Sequence, residues 1–329
     1  MTAPDPGGQL RGMTKSAAPI TLDDVRSGGK AALARALAVL ERAPEAAASL
    51  ALLDAAYAAP RAQVIGVTGP PGVGKSTLLG RLIARYRAAG QRVGVIAVDP
   101  SSRRSGGALL GDRLRLLTDP ADDGVFVRSM AARDRLGGLA DLTVGAMILL
   151  RAVYDRVLIE TVGVGQSETD VAGVADTVVF CVQPGSGDAL QFMKAGIVEI
   201  PHIAAVTKAD MGAAASRAMA DLKGALSLAA AAGEAGGWPV ATLAVSAVSG
   251  AGMDDLAVAL EERAAWLDSG GRLAAARQAQ AELWLREALR ERFGRDGLAR
   301  AAEKSLEIAL APGQSPFSRQ AELAAALRR

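Results

Sequence analysis

Lys75 and Ser76 sit near the end of Gly69-Pro70-Pro71-Gly72-Val73-Gly74-Lys75-Ser76-Thr77, a stretch with the spacing G-x-x-x-x-G-K-[ST]. These residue types at this spacing suit the wrapping of a polyphosphate chain. Glycines let backbone N–H groups turn inward with no Cβ in the way. Lys75 brings a point charge to the outer phosphates, and Ser76 offers a hydroxyl to Mg²⁺. The helix that starts there directs its positive end at the anion. A chance glycine-rich turn would lack the apolar strand before it (Val64-Ile65-Gly66-Val67-Thr68) and the helix after it, and both are legible. Gly69 through Thr77 are therefore read as binding a nucleoside triphosphate, with Lys75 also a catalytic candidate.

Mg²⁺ on a nucleotide is held from the protein side by carboxylates at strand ends. Asp99 follows Val93–Val98, Glu160 follows Val157-Leu158-Ile159, and Asp112 closes Gly106–Asp112. With Ser76, these acids form the candidate metal set, and Asp99 and Glu160 are the candidates for positioning a water nucleophile. A single acid after a strand is more often a helix cap. Two such acids beside a phosphate loop argue for chemistry. Glu160-Thr161-Val162-Gly163 is similar to the D-x-x-G switch of GTPases, whose glycine N–H senses the γ-phosphate. Gln166 lies further along and not directly after that glycine.

Thr207-Lys208-Ala209-Asp210 follows the apolar run Ile203–Val206 and matches N-K-x-D except at its first position. Asp210 can accept two hydrogen bonds from the N1–H and N2–H₂ edge of guanine. Adenine cannot supply them and would strand the carboxylate, a penalty on the order of 10⁴ in discrimination. Lys208 would lie along the base plane. Thr207 in place of Asn is expected to weaken the bracing of this loop. Ser246-Ala247-Val248, after Val245, is read as touching the base from its other edge. GTP is thus preferred over ATP, and GTP or GDP is the expected ligand.

The elements that must position these groups are legible as well. Continuously apolar runs predict strands at Val64–Thr68, Val93–Val98, Val125–Val127, Val157–Thr161, Val178–Val182, Ile203–Val206 and Thr242–Val245, as expected for strands covered on both faces. Helical segments such as Ser76–Ala89 and Ala215–Ala232 lie between them. The fold class is α/β, a doubly wound, mostly parallel sheet whose ligands sit at the carboxyl ends of strands. Residues 1–20 read as a flexible leader, with Met13 a possible alternative start. Residues 21–60 read as a helical segment, 61–270 as the nucleotide-binding domain and 271–329 as a helical extension. In the helical segment Thr21 is a plausible cap, Gly28-Gly29 interrupts the first helix, and Leu33, Leu37 and Leu40 recur at helical spacing. In the last stretch, Arg272 to Phe293 puts Ala281, Trp284, Leu285, Ala288, Leu289 and Phe293 on one stripe. Gly294 is expected to end that helix, a second is expected around Leu298–Leu310, and a short one after Pro312–Pro316. The stripe could pack on its own chain or on a second copy, and spacing leaves both open.

Composition narrows the field. With Lys+Arg 37 against Asp+Glu 35, formal charge is +2 and the signs are interspersed, so no basic face for nucleic acid is expected. One cysteine, Cys181, and one histidine, His202, argue against a Cys/His metal cluster and against an internal disulfide, as in a reducing compartment. Cys181 sits in an apolar strand and reads as a core residue. No membrane span and no secretory signal layout is legible, so the expected location is the cytoplasm.

Together these stretches resemble the G-protein chaperones of cobalamin-dependent acyl-CoA mutases, a family with bacterial and mitochondrial members, some named ArgK-type transport proteins. The resemblance is carried by Gly69–Thr77, Val98-Asp99-Pro100-Ser101-Ser102 with Ser105-Gly106-Gly107 and Gly111-Asp112, and Val127–Ala131. Leu136–Ala140, Glu160–Glu168, Gly185–Asp188 with Gln191 and Lys194, and Gly236-Gly237-Trp238 add to it. It spans about residues 25–290. It implies a SIMIBI-class P-loop GTPase with slow basal turnover and Mg²⁺ at Asp99, Asp112 and Glu160. It also implies a switch from Gln183 to Lys194 that includes Asp188, and a homodimer formed through the last helices. The expected partner is an adenosylcobalamin-dependent acyl-CoA mutase, most simply methylmalonyl-CoA mutase. This sequence departs from the family pattern at Thr207, at His202, at Arg133-Asp134-Arg135 and at Arg103-Arg104. A P-loop kinase of the ArgK type, phosphorylating a protein or small molecule, is the alternative. A nickel-type metallochaperone is disfavoured by the scarcity of Cys and His.

Overall fold

In the computed structural model the described residues are 18–100, 118–132, 141–161, 170–185, 201–230 and 237–328. Every apolar run read as a strand is one: β1 Gln63–Thr68, β2 Val93–Pro100, β3 Val125–Ala132, β4 Arg156–Glu160, β5 Thr177–Val182, β6 Ile203–Val206 and β7 Ala241–Ala244. They form one sheet in the order β3-β2-β4-β1-β5-β6-β7. All pairings among the described strands are parallel, so the carboxyl ends of β1, β2, β4 and β6 share one edge.

The continuous apolarity has the expected cause. On one face Val64, Ile96, Ile159 and Val178 pack with the helices α1 Leu22–Ser27, α2 Gly29–Arg42, α3 Ala47–Ala58 and α5 Asp141–Val153. On the other, Ile65, Val67, Val95 and Val179 pack with α4 Lys75–Ala88 and α7 Met253–Asp268. Helix α6, Ala213–Ala230, covers the β6 end of the sheet. Thr21 caps α1 through a reciprocal box with Asp24. Leu33, Leu37 and Leu40 of α2 are all buried.

The C-terminal part meets one expectation and departs from another. The helical stretch Arg272–Glu303, here α8, is broken at Gly294, whose φ of 69° and ψ of −170° end one helix before the next begins, as expected. No helix continues to Leu310. Ser305 takes a left-handed φ of 52°, and Leu306 and Ile308 then join the apolar cluster between α8 and α9, Pro316–Arg328. The stripe on α8 is covered within the chain. Ala281, Leu285 and Leu289 pack against Leu323 and Leu327 of α9, and Trp284 lies on Phe317 with ring centroids 5.0 Å apart. Polar contacts fix the start of α8. Arg277 forks onto Asp176 at 2.8 and 2.7 Å and reaches Ala62 O at 2.8 Å. Gln280 donates to the carbonyls of Ala172 and Ala175 at 3.0 and 2.9 Å. Among the described residues no helix is long and apolar enough to cross a membrane.

Candidate functional site

The loop Gly69–Gly74 joins β1 to α4 and is shaped by two glycines that nothing else could replace. A Cβ on Gly69, at φ +134°, would lie 2.2 Å from Cys181 O on the neighbouring strand. Gly74 precedes α4 at φ 101°, a left-handed value that lets the chain enter the helix with its N–H groups facing outward. Lys75 is buried at 6% exposure, and its Nζ donates to Gly69 O at 2.8 Å and Pro70 O at 3.0 Å. The ammonium group therefore lies inside the arch of the loop.

Ser76, one residue into the helix, donates its hydroxyl to Glu160 Oε1 at 2.5 Å. Register explains why. Val67 of β1 and Ala97 of β2 both pair with Glu160 of β4, so the last residue of β4 lies between the strand that feeds the loop and the strand that carries Asp99. Glu160 is 6% exposed, and next to it Thr161 Oγ1 donates to Thr68 Oγ1 at 2.8 Å. Ser76 and Glu160, two of the expected metal ligands, are thus brought together. Asp99 occupies the penultimate position of β2, with its side chain outside the described residues. Asp112, Gly163, Gln166, Asp188, Lys194, Arg103-Arg104, Arg133-Asp134-Arg135 and Gly236 also lie outside them. Among the described residues no group of three or more Asp, Glu, His or Cys converges as a metal cluster. A nucleotide-bound Mg²⁺ needs only one or two protein ligands beside phosphate and water.

The other end of the site is built after β6. Thr207 donates its hydroxyl to Val73 O at 2.7 Å and Val182 O at 3.0 Å. Expected to brace this loop less well than Asn, Thr207 nonetheless ties the phosphate loop to both β5 and the β6 turn through its short, buried side chain. Lys208 is held at a left-handed φ of 53°, an uncommon conformation for a side chain of this size that surrounding contacts must enforce. Its Nζ donates to Gly72 O at 3.1 Å and Gln183 Oε1 at 2.6 Å, so its stem lies over the loop. Asp210 is exposed, and its Oδ1 accepts from Ser246 Oγ at 2.5 Å. That hydroxyl, with Lys208 as a lesser contributor, holds the Asp210 carboxyl below the usual carboxylate range. Ser246 is fully buried and grips Asp210 from within the turn. Within the chain, Ser246 thus orients the Asp210 carboxylate.

Sequence reasoning missed Arg81. From α4 its guanidinium donates to Ala247 O at 2.7 Å and Val248 O at 3.0 Å, fastening the Ser246–Val248 turn to the helix that follows the phosphate loop. No spacing in the sequence links positions 81 and 247. His202 lies at the opposite, amino end of the sheet, where its Nδ1 accepts from Val178 N–H at 2.9 Å. Burial first, and then the nearby Arg263 charge, pull its pKa down to about 4. Cys181 is fully buried, and burial pushes its thiol up to about 12. It is a core residue, as the sequence suggested.

A family model described as methylmalonyl-CoA mutase-associated GTPase MeaB matches residues 33–302. The chain belongs to that family. Relatives agree with it. GTPase ArgK of Escherichia coli is 37% identical over 275 residues, 81% of this chain and 82% of that one. The mitochondrial methylmalonic aciduria type A homolog of Mus musculus is 36% identical over 263 residues, 76% of this chain and 63% of that one. Among solved structures, one titled LAO/AO transport system kinase aligns with TM-score 0.63 at 28% identity, covering 94% of this chain and 96% of that chain. The MeaB-family chain is accordingly a P-loop GTPase that binds guanine nucleotide and converts GTP and water to GDP and phosphate.

Proposed function

We propose that this MeaB-family GTPase is a nucleotide-driven chaperone of an adenosylcobalamin-dependent acyl-CoA mutase, with methylmalonyl-CoA mutase the first candidate. In this reading it gates cofactor loading and reactivation. The carrying observation is the wiring of the site. Thr207 and Lys208 bond the base-reading turn to Val73 and Gly72 of the phosphate loop, so purine and triphosphate would be held by one unit. The family's name and that of the mouse relative supply the partner class.

In this mechanism Gly69–Thr77 wrap the phosphates and Lys75 turns its ammonium from the loop carbonyls to the outer phosphates. Asp210 reads the guanine edge, with Lys208 along the base and Ser246, Ala247 and Val248 forming the opposing turn. The oxygen donors Ser76 and Glu160, 2.5 Å apart, suit a hard cation. They would hold Mg²⁺ together with Asp99 and Asp112, and the ion would supply charge neutralisation at the phosphates. Asp99 or Glu160 would orient the attacking water. Such catalysis is mainly positioning and charge stabilisation. With no arginine finger assigned, basal turnover of about 10⁻⁴ to 10⁻³ per second is expected. Glu160 ends β4 directly before Thr161-Val162-Gly163, so losing the terminal phosphate would release that segment and alter affinity for the mutase. Two copies are proposed to pair through the helical extension, where Leu283 of α8 stays 54% exposed. A cytoplasmic location follows the same reading.

The test is capture of candidate mutases by the purified chain with GDP and with a non-hydrolysable GTP analogue. Unequal capture is expected, and equal capture in both states would remove the switch. The kinase title of the solved neighbour favours one second reading, phosphorylation of an acceptor. Phosphate release from GTP without any acceptor separates the two, and sedimentation of the purified chain tests the pairing.

A further inference from the structure

Away from the nucleotide site, a cavity of about 20 Å³ lies between α5, the turn Val171–Gly173, and the arm helices α8 and α9. That volume exceeds the roughly 10–15 Å³ one water-sized particle requires. Its polar lining is dominated by donors. Arg151 is 3% exposed, its Nε has no hydrogen-bond acceptor, and among the described residues no carboxylate forms an ion pair with it. Trp284 lines the same cavity, and its indole Nε1–H is likewise buried without an acceptor. Arg277 lines it too, but its charge is already matched by Asp176, which also accepts Val64 N–H at 2.7 Å. No Asp or Glu lines the cavity. The Tyr57 ring lies 5.7 Å from the Arg151 guanidinium carbon and gives only partial compensation. Burial, and after it the Arg277 charge, lower the Arg151 pKa to about 10, and the Asp176 carboxylate offsets them only in part.

A buried cation and an orphan N–H donor on one small void ask for an acceptor that carries negative charge. We propose that this cavity is a binding site for one halide-sized monovalent anion, held by Arg151 and Trp284, which pins the arm helix α8 to the nucleotide-binding domain. A water could accept from both donors, but it would add no charge to the partial compensation that Asp176 and the Tyr57 ring give Arg151. The site joins the turn that precedes β5 to the arm, so its occupancy acts on the docking of the arm and is independent of nucleotide chemistry.

Two measurements on the full chain decide this. Crystals grown in sodium bromide are expected to show an anomalous peak between the Arg151 guanidinium and Trp284 Nε1; ordinary water density there overturns the site. Thermal melting at fixed ionic strength, with chloride or bromide replacing gluconate, is expected to show a saturable rise in Tm that Arg151→Met abolishes. A rise of equal size in Arg151→Met, or no rise in the wild-type chain, overturns it. A bromide peak with no halide-dependent melt marks an adventitious ion only and also overturns the proposal. If Arg151→Met does not fold, Trp284→Phe, which keeps the ring and removes the donor, takes its place and is expected to weaken the halide response.

Discussion

Ser76 Oγ donates to Glu160 Oε1 at 2.5 Å, so the first turn of the P-loop helix is bonded to the last residue of a strand two positions into the sheet from the edge strand β3. If the two oxygens share Mg²⁺, removing either should alter the metal requirement first. Ser76→Ala is expected to raise the Mg²⁺ concentration for half-maximal GTP hydrolysis about 10–100-fold. Glu160→Gln, which keeps shape and removes charge, should lower kcat by about 10². Rates measured against free Mg²⁺ check both. Wild-type Mg²⁺ dependence in both variants would place the metal elsewhere.

Asp210 is held ionised by Ser246 and faces solvent, as the proposed reading of a guanine edge requires. Asp210→Asn swaps an acceptor for a donor. It should cost about 10⁴ in preference for GTP and shift binding toward xanthine nucleotides, whose edge matches an amide. Competition between the two nucleotides for a fluorescent analogue reads the change directly. Unchanged GTP affinity would mean that the base is read by other groups.

The strands were legible because a strand covered on both faces must be apolar throughout, and Val64–Thr68 and Val178–Val182 meet that condition without help from distant residues. Their order was not, because parallel pairing across β1, β4 and β2 depends on crossovers that local composition does not encode. The same division holds at the site. Lys75, Ser76 and Asp210 stand out as candidates because their spacing is local. Arg81 does not, because its partners Ala247 and Val248 are distant in sequence and offer only backbone carbonyls. Gly294 was legible for a local reason: a left-handed glycine commonly ends a helix, and its φ of 69° and ψ of −170° break α8 there.

Thr207 bridges two loops with one hydroxyl, and its side chain is 5% exposed. Thr207→Val keeps the shape and leaves Val73 O without that donor. The expected loss is about 1–3 kcal/mol of stability, the cost of an unsatisfied buried carbonyl. The kinetic signature is a higher KM for GTP with kcat largely retained, since the loop loosens before the chemistry changes. Urea melts and steady-state kinetics on one preparation check both, and an unaltered KM would deny the bridge any part in nucleotide binding.

His202 gives the chain a specific acid sensitivity. Its pKa falls from about 6.5 unfolded to about 4 folded, chiefly through burial, so between these values the unfolded chain binds the extra proton and the folded one does not. Stability from this group is therefore fully present above about pH 6.5 and is lost as pH drops toward 4, by up to about 3 kcal/mol. The protonated ring would also lose the Nδ1 lone pair that accepts Val178 N–H and would confront the buried Arg263 charge. His202→Asn retains an acceptor without the titration, so its urea midpoint should fall less between pH 7.5 and pH 4.5 than that of the wild-type chain. Carboxylates that protonate in the same range contribute equally to both proteins and cancel in the difference. Identical falls for the two would show that His202 is already protonated in the folded chain at pH 4.5.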